Sequence, residues 1–174
     1  MADTPNTVPV VSVVGKGDSG KTTFLEKLIS ELASRGVRVA TVKHHIHDYD
    51  IDVPGKDSWR HARAGAVATM VSSPDKFALI HEVQSELSID QIARIAADTG
   101  CDLLITEGFK LNGRNRIEVS RTERSDALVC DPAELFALVT DNPALSCDSV
   151  PSFGLDDARG VADLIGERFL GGGA

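Results

Sequence analysis

The chain is poor in cysteine, has no excess of basic charge and contains no long apolar run. Each shortage removes a class of protein. Its 3 cysteines, Cys101, Cys130 and Cys147, are widely spaced, odd in number and free of any CxxC pair. That excludes a disulfide framework and fits buried thiols in a reducing compartment, so a cytoplasmic chain is expected. Lys and Arg number 18 against 26 Asp and Glu, a formal net charge of −8. The positive footprint needed to hold a nucleic-acid backbone is therefore missing. No stretch approaches the ~18 apolar residues that span a bilayer, which argues against a membrane protein. Met1 to Thr7 lacks the basic start and apolar core of a secretory signal and reads as a short flexible tail, as does Gly171 to Ala174. At 174 residues, with 42% hydrophobic and 25% charged, the chain suits one domain over residues 1–174, without internal repeat or linker.

What is present is an alternation of strands and helices. Val8 to Val14 is a nearly continuous β-branched run, the pattern of a strand buried on both faces in a parallel sheet. Beyond a glycine-rich turn, Phe24, Leu28 and Leu32 recur at i, i+4, i+8 and make one helical face, which Gly36 terminates. Val37 to Val42 reads as a second strand, completing a βαβ unit. Lys43 to Gly65 is polar and histidine-rich and reads as a surface segment, with Pro54-Gly55 forcing a turn. Ala66 to Ser72 and Phe77 to Glu82 read as a strand pair with a tight connection. Ser88 to Gln91 has capping-box spacing and opens a helix, and Asp102 to Thr106 is a further strand ending in Glu107-Gly108. Ile117 to Ser120 and Leu135 to Thr140 follow as strands, and Val161 to Phe169 as a closing amphipathic helix. The expected class is α/β: three layers, a mostly parallel sheet with helices on both faces and a short strand pair.

The chemistry concentrates between the first strand and first helix. Gly15-Lys16-Gly17-Asp18-Ser19-Gly20-Lys21-Thr22 satisfies GxxxxGK[ST], whose glycines let successive backbone N–H groups converge on phosphate oxygens at a helix N-terminus. A preceding strand and a following amphipathic helix are the context this motif requires, so the α/β fold expected is the three-layer P-loop NTPase fold. Lys21 is expected on the β and γ phosphates of ATP or GTP, and the Thr22 hydroxyl on Mg²⁺. A carboxylate must also hold the metal from the C-terminal end of a neighbouring strand, and Glu107 meets that requirement. Asp102 is the rival, but it begins its strand. Lys43 ends the second strand on the same sheet edge, either as positive charge near the transferring phosphate or as a solvated lysine. His45 and His47 fit three readings: a zinc pair, contacts to an anionic substrate, or a solvated loop.

Beyond the loop, Lys43-His44-His45-Ile46-His47, Asp52-Val53-Pro54-Gly55-Lys56-Asp57-Ser58, His61 to Ala66 and Glu107-Gly108-Phe109-Lys110 follow in an order and spacing that resembles the molybdopterin-guanine dinucleotide biosynthesis adaptor proteins of the MobB family. The resemblance covers roughly Val10 to Val119. It implies a GTP-binding protein, usually a homodimer with weak GTP hydrolysis, that assists the molybdopterin guanylyltransferase in attaching GMP to molybdopterin. Carried over, the resemblance places the nucleotide on Gly15 to Thr23 (with Thr23 closing that run), the metal near Thr22 and Glu107, and Asp57 as a second candidate near the metal. His44, His47, Lys56 and Arg60 become candidates for contacting pterin phosphate or GTP.

Two departures stand out. Lys16 occupies a position that is often aromatic in this family; a related group of dimeric ATPases places there a lysine that reaches the partner's nucleotide. Either that trans contact or a solvated lysine is compatible with the sequence. No [NT]KxD run reads guanine, and Thr140-Asp141 is the one comparable candidate. Two competing functions remain open on residues alone. One is an ATP-dependent small-molecule kinase or ligase of similar fold. The other is a scaffold whose nucleotide only stabilises a dimer.

Overall fold

The computed structural model describes residues 6–44, 51–109, 112–146 and 149–171, and they fall into two compact units. The first combines Met1–His44 with Ile89–Ala174; the second is His45–Ser88.

The first unit is a six-stranded sheet. Its strands are β1 (Val10–Val14), β2 (Val39–Lys43), β5 (Leu103–Glu107), β6 (Arg116–Ser120), β7 (Leu135–Thr140) and β8 (Ser152–Phe153), in the order β2-β5-β1-β6-β7-β8. Every pairing is parallel. The run read as a central strand is central: β1 lies between β5 and β6 and is buried at all 5 positions. The period-2 alternation of strands then sorts its side chains to two faces. Val11 and Val13 pack with Leu28 and Leu32 of α1 (Lys21–Ser34) and with Val161 and Ile165 of α4 (Ala158–Phe169). Val10 and Leu104 pack instead with Ala93 and Ala96 of α3 (Ile89–Asp98). Helices therefore cover both faces, giving the three layers expected. Each fully buried Leu or Ile in these layers contributes roughly 1.5–3 kcal/mol.

Strand boundaries differ from the expectation by one or two residues. Pairing begins before β1 is formally a strand, because the Pro9 carbonyl accepts from Leu104 N at 2.9 Å. Gly36 ends α1 as expected: at φ +84 it lets its own N–H reach Ala33 O and Val37 N reach Leu32 O. The two-residue β8 was not expected, being too short to show a period. Cys101 and Cys130 are only half-buried, which corrects the expectation of buried thiols, while Cys147 lies outside the described residues. Burial of Cys130 suffices, with the Glu118 charge, to push its thiol pKa up.

The second unit contains α2 (Asp57–Arg63) and an antiparallel pair, β3 (Ala68–Ser72) and β4 (Phe77–His81), the strand pair expected. Helix α2 was not expected within the polar segment. It buries no residue, so no apolar stripe announces it. Asp57 in its first turn and Arg60, His61 and Arg63 in its last suit the helix dipole, and Ser58 Oγ donates to Asp52 Oδ1 at 3.0 Å.

Candidate functional site

The loop of residues 15–20 joins the most buried strand to α1, and its backbone takes conformations that only certain residues tolerate. Gly15 has φ +145, and a Cβ there would stand 2.3 Å from the Val119 carbonyl oxygen. Gly20 has φ +89 and precedes an α1 first turn with no side-chain cap and no acidic residue. An uncapped helix start offers N–H groups and a partial positive charge to an anion. Lys21 folds back over the loop, its Nζ donating to Gly15 O at 3.2 Å and Lys16 O at 2.5 Å. The Lys16 side chain is exposed.

Across the loop, Thr22 Oγ1 donates to Glu107 Oε1 at 3.3 Å, a contact between residues 85 apart in sequence. Strand register explains Lys43, since β2 and β5 align Lys43 with Glu107 and set Nζ 3.9 Å from Oε1. Asp18, Ser19, Gly20, Lys21, Thr22 and Thr23 line a cleft of about 500 Å³, closed by Lys43, Glu107 and Arg121. A hydroxyl and a carboxylate side by side form a hard-oxygen donor pair of the kind Mg²⁺ takes. Gly15 lets the loop close against β6 where a Cβ would meet the Val119 carbonyl, and nothing lies within 4 Å of the Cβ position of Gly17.

Asp102 lies at the other end of β5. The Arg38 guanidinium and backbone N–H both donate to it, holding its pKa down at about 2. It is a clamp on the β2–β5 edge, away from the loop. Asp141, the candidate guanine reader, accepts from Thr122 N and Oγ1 at 2.7 and 3.0 Å, which lowers its pKa. His44 N donates to Glu107 O at 2.8 Å and its ring lies 4.6 Å from that of Phe109. Asp57, Lys56 and Arg60 belong to the second unit, where Arg60 Nη1 stands 3.9 Å from Asp57 Oδ1. His45, His47 and Lys110 lie outside the described residues. Among the described residues no group of three or more His, Cys, Asp or Glu is placed to hold a metal on its own. No helix among them is long and apolar enough to cross a membrane.

Arg121 was not among the expected site residues. It directly follows β6 and carries no motif, so its one signal is its position at the end of a strand that pairs with β1.

Residues 10–141 match the family model described as MobB, molybdopterin guanine dinucleotide synthesis protein B. The chain is 37% identical over 165 residues to the molybdopterin-guanine dinucleotide biosynthesis adapter protein of Escherichia coli, covering 92% of this chain and 93% of that one. Against the protein of the same name from Haemophilus influenzae it is 36% identical over 166 residues, covering 92% and 89%. Among solved structures, it is similar to a crystal structure of molybdopterin-guanine biosynthesis protein B, with TM-score 0.66, 32% identity and coverage of 90% and 95%. The MobB crystal structure from Bacillus subtilis aligns with TM-score 0.72, 25% identity and coverage of 92% and 98%.

Proposed function

The chain belongs to the MobB family, and from that premise we propose that it is a GTP-binding adaptor that assists a guanylyltransferase in joining GMP to molybdopterin. The observation that carries the nucleotide part is the meeting of Thr22 and Glu107 at 3.3 Å over a loop on which Lys21 is folded. Gly15 to Thr23 would cradle the phosphates, and Thr22 and Glu107 would hold Mg²⁺, which supplies charge neutralisation to the β and γ phosphates when bound. Lys21 would add a cation on those same phosphates. Lys43 is the cation beside Glu107, and Asp57 is retained as a further metal candidate on family resemblance. No glutamine lines the cleft among the described residues. Without a residue to position water, intrinsic GTP hydrolysis is expected well below ~1 per second. A cytoplasmic location accords with this role.

The experiment is a titration of Mg-GTP and Mg-ATP, followed by addition of the protein to a molybdopterin guanylyltransferase assay. GTP is expected to bind more tightly than ATP, and the protein to raise guanylyltransferase output without being consumed. Equal affinity for the two nucleotides would remove guanine from this reading, and unchanged output would remove the adaptor role.

A homodimer is part of the same proposal, and the β3–β4 pair supports it. Met70 and Leu79 are cross-strand partners, and Phe77 lies two residues along the same face. They are 64%, 53% and 65% exposed. A lone two-stranded ribbon is marginal in water, and a contiguous exposed apolar face marks an interaction site. A second copy would cover it. Leu79→Glu is expected to halve the mass measured by light scattering from dimer to monomer; a variant that stays dimeric would place the interface elsewhere.

A further inference from the structure

The loop is flanked on two sides, and only the β5 side, with Thr22, Glu107 and Lys43, has a role so far. On the β6 side the loop rests against the end of that strand: Gly15 faces the Val119 carbonyl, and Gly20 faces Arg121. Arg121 Nη2 lies 3.3 Å, and its Cζ and Nε 3.6 Å, from where a Cβ on Gly20 would sit. The guanidinium therefore lies against the loop's last glycine, at the start of α1, and lines the same cleft.

This flank also holds buried polar atoms without partners. Arg121 Nε is shielded from solvent and makes no hydrogen bond. The same is true of Ser19 Oγ, in the loop, in a residue only 1% exposed, and both residues line the cleft. Buried polar groups are nearly always satisfied, so such a grouping beside one loop points to a ligand rich in acceptors. Two carboxylates are near enough to feel the Arg121 charge, but each is occupied. Asp141 is held first by Thr122, and Asp156 by Lys27 Nζ at 2.5 Å. No ion pair fixes Arg121 among the described residues, whereas Lys43 already stands 3.9 Å from Glu107.

We propose that Arg121 is a nucleotide-binding residue in cis, contacting the phosphate nearest the nucleoside. This rests on the nucleotide reading above and deepens it. The Thr22–Glu107 pair marks the metal and γ-phosphate end of the cleft. Arg121 lies on the opposite flank of β1, since the sheet runs β5-β1-β6. A phosphate chain that starts at the metal and crosses the start of α1 brings its α-phosphate to that flank. The planar guanidinium presents paired donors that match phosphate oxygens, which a point-charge lysine does less well. Its backbone role is separate: Arg121 O accepts from Arg124 N and Ser125 N at 2.9 and 3.0 Å, and any side chain at 121 preserves that turn.

The test compares wild type, Arg121→Ala, Arg121→Lys and the exposed control Arg124→Ala, measuring Kd for Mg-GTP, Mg-GDP and Mg-tripolyphosphate by calorimetry. Arg121→Ala is expected to weaken all three by about ten- to a hundredfold, in line with the loss of a charge-assisted hydrogen bond. Arg121→Lys should recover part of that loss, and Arg124→Ala should lose nothing. If Arg121→Ala fails to fold, by far-UV circular dichroism, Arg121→Gln replaces it with the same expectation. Unchanged affinities overturn the assignment. Loss confined to GTP moves Arg121 to the γ-phosphate, and loss for the nucleotides without loss for tripolyphosphate moves it to the base; either overturns the α-phosphate contact. Wild type binding none of the three would bring down the nucleotide reading itself, which the variants alone do not do.

Discussion

Lys21→Ala is expected to weaken Mg-GTP binding by about a hundredfold or more while leaving the ligand-free fold unchanged. The size follows from the contacts removed. A charged donor on phosphate oxygens contributes about 1.5–3 kcal/mol per hydrogen bond, and two such bonds exceed the roughly 2.7 kcal/mol that a hundredfold change represents. The fold should be indifferent because Lys21 Nζ donates to two loop carbonyls, Gly15 O and Lys16 O, at least one of them open to water that can replace it. Thermal melts with and without nucleotide separate these effects. At a hundred times Kd, wild type should gain about 2.7 kcal/mol from Mg-GTP, and the variant at the same concentration almost none. A variant stabilised as much as the parent would sink the assignment of the loop. One that loses nucleotide yet still stimulates the guanylyltransferase would show that the adaptor works as a scaffold.

Residues whose neighbours along the chain determine their role were readable before any coordinates. Val8 to Val14 had to be a central strand because a seven-residue run apolar at every position but Ser12 leaves no face for solvent, and β1 is paired on both edges. Glu107 followed from one rule, that ligands gather at the carboxyl ends of parallel strands, and the structure sets it beside Thr22. Strand order was the limit. Nothing local says that β6 rather than β7 lies against β1, so nothing local brings Arg121, about a hundred positions from Gly20, to the phosphate loop. Helix α2 escaped for a different reason: helical periodicity is a signature of burial, and a seven-residue helix with no buried side chain does not write one.

Gly15→Ala is expected to be among the most damaging single-methyl changes available to this chain, costing about 3 kcal/mol or more and removing nucleotide binding as well. The added carbon would stand 2.3 Å from Val119 O and 2.9 Å from Ser19 Oγ, where real Cβ contacts essentially never fall below 3.0 Å. A flexible side chain could swing away, but Val119 O is backbone in a strand paired through Val119 to Val139 of β7, in a residue with no exposed surface. Relief must therefore come from parting the loop from β6 or from distorting the sheet. The φ of +145 adds strain on the order of 1–3 kcal/mol for any residue with a Cβ. Set against a typical total stability of about 5–15 kcal/mol, this is a large fraction. Gly17→Ala is the matched control: nothing lies within 4 Å of its Cβ position and its φ is not positive, so the same methyl there should change stability by no more than about 0.5 kcal/mol. Urea titrations of both variants, with the slope m held equal to that of wild type, measure the contrast. A Gly15→Ala midpoint matching that of Gly17→Ala would mean that the loop does not press on β6. The close approach that brings Gly20 to Arg121 would then lose its foundation.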